Sequence, residues 1–162
     1  MADVTQIPIS HAATAPAQLI TLAHEAATKQ SLWPELVCAI VEQESSWDRW
    51  ALRYEPAFYA RYIEPQLARG AIAGEGEARA RAFSWGLMQV MGQVAREHGF
   101  AAPSLSALCD PTTGLAIGCR IFAAKLAAAE GNVEQALQLW NGGANPDYAA
   151  QVLARATHYK FS

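Results

Sequence analysis

Apolar residues recur along this chain at intervals of three and four, a spacing that predicts helices from one end to the other. Leu19, Ile20, Leu22 and Ala23 mark a helix over 16–29, and a second opens at Pro34, a residue suited to the first helical turn, and runs to about Ser46. From Glu55 to Arg69, Phe58, Tyr59, Tyr62 and Ile63 keep helical spacing until Pro65 interrupts it. A Gly- and Ala-rich connection over 70–76 leads to helical material over 77–82, and a helix over 87–97 stops at Gly99. The stretch 111–129 reads as a long buried helix carrying Leu115, Ile117, Ile121, Phe122 and Leu126, ended by Gly131. A helix over 133–140 follows, then the loop Asn141–Gly142–Gly143, then a last helix over 147–156. β-branched residues come in ones and twos and not in alternating runs, so no hairpin is expected. With residues 1–15 as an extended lead-in, the pattern predicts one all-α domain over 1–162.

Composition agrees and narrows the field. Hydrophobic residues make up 52% and charged ones 17%, which suits a packed core and excludes a disordered chain. Net charge is −3 and the Lys and Arg residues are scattered, so the basic footprint of a nucleic-acid binder is missing. No run approaches the ~18 apolar residues of a membrane span, and 1–16 has no charged start followed by a long apolar stretch, so neither stable membrane insertion nor a signal peptide is expected. Cys38 reads as a small core residue, and Cys109 and Cys119 could pair without any feature requiring it. No Cys/His cluster has metal-site spacing and the four histidines stand alone, so no metal and no cofactor is expected.

The second helix carries the candidate chemistry. Leu36, Val37, Ile40 and Val41 form an apolar arc, and at about 100° per residue Glu44 falls near its middle while Glu35 and Glu42 point away. A carboxyl there loses hydration, which raises its pKa. An acid still protonated near neutral pH is what breaking a glycosidic bond needs, because the leaving oxygen must be protonated as it departs. On this helix alone, a capping role or an ion pair with an arginine explains the same glutamate.

Four segments carry a resemblance. Glu44–Ser45–Ser46–Trp47–Asp48 resembles the Glu-Ser-x-aromatic motif of the lytic transglycosylase and goose-type lysozyme superfamily. Ser84–Trp85–Gly86–Leu87–Met88–Gln89–Val90 is similar to its Gly-Leu-Met-Gln motif, Asp110–Pro111 with the helix behind it to its third segment, and Leu139–Trp140–Asn141–Gly142–Gly143 to its aromatic-Asn-x-Gly motif. They stand in the family's order over residues 36 to 153. The resemblance implies a lysozyme-like helical domain of the lytic-transglycosylase type with a substrate cleft, acting on peptidoglycan glycan strands. By position it makes Glu44 the catalytic acid and Ser45 a helper beside the reacting sugar. Met88, Gln89, Trp140 (usually tyrosine in the family) and Asn141 would line the cleft. An insertion after the glutamate motif holds Arg53–Tyr54–Glu55–Pro56, which looks like a motif of some phage-type muramidases and makes Glu55 a candidate second carboxylate; a surface ion pair with Arg53 or Arg61 accounts for it equally. Tyr54, Phe58, Tyr59 and Tyr62 suggest a wall that grips sugar rings, or the packing of an extra helix.

The implied chemistry is transglycosylation by one acid/base, which ends the muramyl strand in a 1,6-anhydro ring. Hydrolysis becomes feasible if Glu55 faces Glu44 with room for a water, about 6.5–9.5 Å between inverting carboxyls or about 5–5.5 Å between retaining ones. A non-catalytic wall-binding or virion module would keep the fold without needing Glu44. The expectation is a monomer made in the cytoplasm that works on the wall, as a phage lysis enzyme or a virion-borne one.

Overall fold

A computed structural model describes residues 16–159. The expected lead-in over 1–15 therefore lies outside the described residues, as do 160–162. The fold is mostly helical with one small sheet, and two helices flank the one that carries Glu44. Helix α2 (Pro34–Ser45) packs between α1 (Pro16–Lys29) and α9 (Tyr148–Ala156). Helix α7 (Pro111–Ala128) lies against α1 and against α8 (Val133–Trp140). Asp110 starts α7 by accepting from the Thr113 backbone N–H at 2.9 Å, and Pro111 occupies its first turn. Leu115, Ile117, Cys119, Ile121 and Phe122 of α7 are buried, as that long apolar run predicts.

The arc on α2 is a different matter. Every residue from Leu36 to Val41 is buried, because neighbours cover the middle of this helix on all sides. Glu42 is held at the back: Tyr159 donates to it at 2.7 Å, Arg155 pairs with it at 3.6 Å, and Trp47 Nε1 donates to the same Tyr159 hydroxyl at 2.9 Å. The helix ends where Ser46 and Trp47 both take positive φ, 50° and 67°, turning the chain sharply one turn beyond the core.

The absence of a hairpin is the main expectation to correct. Strands β1 (Leu52–Tyr54), β2 (Phe83–Trp85) and β3 (Val90–Met91) form an antiparallel sheet in that order, with Arg53 opposite Ser84 and Ser84 opposite Met91. The helix expected over 87–97 is a turn, then β3, then α6 (Gly92–Glu97). Gly86 (φ 65°) and Gln89 (φ 47°) shape the turn between β2 and β3. At Gly86 a Cβ would come within 2.5 Å of the Leu108 carbonyl oxygen, so both the angle and the space call for glycine there.

The insertion forms a small unit of its own. α3 (Pro56–Phe58), a π-helical turn (Tyr59–Ile63) and α4 (Glu64–Ala68) run on from one another, since Pro65 falls in the first turn of α4 where its missing N–H costs nothing. With α5 (Glu75–Arg81) they bury Ile63, Ile72, Ala78 and Ala82 in a second apolar cluster, separate from the main core.

Candidate active site

A cleft of about 340 Å³ opens between the sheet, α7 and the end of α8. Glu44 reaches it from the last turn of α2. Side chains one row across a sheet share a face, and Arg53, Ser84 and Met91, which form such a row, all line the cleft. Glu55 and Phe58 extend this wall; Ile121, Lys125, Trp140 and Asn141 line the opposite side.

Glu44 is held by two donors. The Tyr148 hydroxyl donates to Oε1 at 2.5 Å and Trp140 Nε1 donates to the same oxygen at 3.2 Å. Burial pushes the carboxyl above the ordinary glutamate range, and the bonds from Tyr148 and Trp140, together with the Arg53 charge, pull it part of the way back. Burial also raises the Tyr148 hydroxyl, as do the charge of Glu44 and the bond to it, so Tyr148 stays protonated and keeps donating.

Gln89 faces the cleft with its amide fixed. Nε2 donates to Ala51 O at 3.0 Å and Gly86 O at 2.9 Å, which uses both amide protons and leaves the side-chain oxygen as the acceptor. Asn141 lines the same cleft and donates through Nδ2 to Asn145 O at 3.2 Å. Glu55 is there too, with its Oε1 2.5 Å from Arg53 Nε.

Four expected residues stand elsewhere. Met88 is 1% exposed and packs over Gly118 of α7, in contact closer than a Cβ on that glycine would permit, so it is core and not cleft lining. Ser45 is buried outside the cleft lining, and its hydroxyl lies 3.1 Å from Val41 O and 2.9 Å from Leu87 O, where it ties α2 to the β2–β3 turn. Tyr54 points to the far face of the sheet, against Phe83 at a centroid distance of 5.0 Å. Tyr62 is 46% exposed, rests on Phe58 with Arg61 over its ring, and lies outside the cleft lining. Of the insertion's aromatics, Phe58 lines the cleft. The three cysteines are free and buried, so the possible Cys109–Cys119 bond is not formed.

Tyr148 was invisible in the sequence. It opens α9, 104 positions from Glu44, and locally reads as the first apolar residue of an amphipathic helix. Lys125 has no motif to mark it, and Arg53 and Ser84, although they stand in the quoted segments, carry no sign of a shared place in the cleft, because the row across a short sheet that unites them has no signature in strands this brief.

The family model described as transglycosylase SLT domain matches residues 21–160. The chain belongs to that family, and membership supports a peptidoglycan lytic transglycosylase activity. No curated protein and no solved structure matches the chain. Among the described residues no helix is long and apolar enough to cross a membrane.

Proposed function

We propose that the protein cleaves the β-1,4 bond between N-acetylmuramic acid and N-acetylglucosamine in peptidoglycan without consuming water, leaving 1,6-anhydromuramyl ends. The observation that carries this reading is Glu44: one carboxyl with raised proton affinity, aimed into a cleft, and held by two neutral donors. Glu44 gives its proton to the glycosidic oxygen as the bond from that oxygen to muramyl C1 breaks, and the electron pair leaves with the N-acetylglucosamine hydroxyl. The sugar left behind has oxocarbenium character. The Glu44 carboxylate then takes the proton of the muramyl C6 hydroxyl as that oxygen bonds to C1, which closes the anhydro ring and restores the acid.

The neighbours suit this cycle. A carboxyl in a low-polarity cleft holds its proton until a leaving oxygen claims it, and its two donors steady the charge it carries between steps. The Gln89 oxygen and Asn141 offer hydrogen bonds to sugar hydroxyls or N-acetyl groups, while Phe58 and Trp140 offer faces to sugar rings.

Because Glu55 lines the same cleft, hydrolysis is the second reading. Mass spectrometry of fragments from purified peptidoglycan separates the two. Anhydromuramyl ends, made by the wild type and abolished in Glu44→Gln, are the expected result. Ordinary reducing muramyl ends that disappear in Glu55→Gln would assign the hydrolytic route, and undiminished cleavage by Glu44→Gln would remove Glu44 as the acid.

A further inference from the structure

Both donors that reach Glu44 end on one atom. Trp140 Nε1 and the Tyr148 hydroxyl each bond Oε1, and neither bond involves Oε2. An indole N–H donates and cannot accept. In a protonated carboxyl the carbonyl oxygen is the good acceptor, whereas the hydroxyl oxygen accepts poorly and needs an acceptor for its own hydrogen. A proton on Oε1 would thus weaken the indole bond and force the Tyr148 hydroxyl to reverse from donor to acceptor, whereas a proton on Oε2 preserves both bonds as they stand.

We propose that Trp140 is a positioning residue for the acid: together with Tyr148 it holds Oε1 as the accepting oxygen and confines the transferable proton to Oε2. The inference rests on Glu44 being the acid of the proposed reaction. The indole is braced for this task, since its ring packs edge-on against Phe122 at a centroid distance of 5.8 Å and an angle of 71°. Trp140 closes α8 and Tyr148 opens α9, so the connection over 141–147 fixes how the two donors converge. Arg53 from β1 also acts on the carboxyl through its charge, and Glu55 beyond β1 and Lys125 from α7 line the same cleft. Their charges bear on the carboxyl as a whole, whereas the hydrogen bonds from Trp140 and Tyr148 distinguish its two oxygens.

The sign of the effect follows. The indole bonds the carboxylate more strongly than the neutral acid, so its loss makes ionisation harder. Removing one hydrogen bond to a charged group moves a pKa by about one unit. Nuclear magnetic resonance of the whole protein, labelled in its tryptophan side chains and glutamate carboxyls, tests this without relying on activity. In the wild type, one indole N–H signal is expected to titrate together with the Glu44 carboxyl, and to stop titrating in Glu44→Gln. In Trp140→Phe that signal is absent and the Glu44 pKa is about one unit higher, with the alkaline limb of peptidoglycan cleavage shifted upward by the same amount. Indole signals that all ignore the Glu44 titration would overturn the proposal, as would a Glu44 pKa that is unchanged or lower in Trp140→Phe. If Trp140→Phe does not fold, the wild type and Glu44→Gln spectra decide alone. Coupled titration alongside continued cleavage by Glu44→Gln would uphold the indole–carboxyl pairing and sink the acid assignment instead.

Discussion

Burial raises the Glu44 carboxyl, and a raised acid makes folding depend on pH in a defined direction. The unfolded chain ionises first. The stability contributed by keeping Glu44 neutral is therefore complete below the unfolded pKa and is lost as pH climbs through the folded one. Glu44→Gln removes the titration, so its thermal midpoint is expected to equal or exceed that of the wild type, by a margin that widens from acid to alkaline pH in a series of thermal melts. Glu77 runs the other way. Burial alone would raise it, but hydrogen bonds from Arg96 and Arg81 outweigh that and hold it below the ordinary range. Its contribution is present above the unfolded pKa and is lost as pH falls through the folded one. Glu77→Gln should therefore lower the midpoint near neutral pH and flatten its decline in acid, measured in the same series.

At the scale of elements, the glycines of α7 set how closely its neighbours approach. A Cβ at Gly114 would overlap the Leu108 carbonyl oxygen, which is backbone and cannot swing aside; at Gly118 it would meet the flexible side chain of Met88. Both substitutions overpack, at a typical cost of about 1–3 kcal/mol. Gly114→Ala is expected to lose more stability than Gly118→Ala in urea melts. Asp110→Ala removes the cap of α7 and should cost about 1 kcal/mol in the same assay. The helices were legible in the sequence because a period near four survives over two turns or more. The β2–β3 hairpin was not, because strands of two and three residues leave no alternation to read, and Leu87 to Val94 is apolar enough to mimic a helix. The same local ambiguity makes Met88 and Gln89 look alike in the sequence: at the turn between the strands one side chain goes down onto Gly118 and its neighbour stays in the cleft.

Across the whole molecule, the site was legible where one segment contributes a residue by its own pattern and hidden where distant segments meet. Glu44, Gln89, Trp140 and Asn141 sit in short motifs that keep their order along the chain, and all four line the cleft. Tyr148 is placed by the packing of α9 on α2, a contact between elements far apart in sequence. The two apolar clusters also divide the molecule. The main one is built on large buried side chains of α2 and α7. The second consists of Ile63, Ile72, Ala78 and Ala82, too little apolar area to match it. Free energies of local opening follow such differences. Amide hydrogen exchange should therefore run faster through 59–81 than through α2 and α7; equal protection in both would mean that the two clusters open as one. An opening of this second cluster alone would loosen Phe58, which packs on it beside the cleft, and leave Glu44 in its setting at the end of α2.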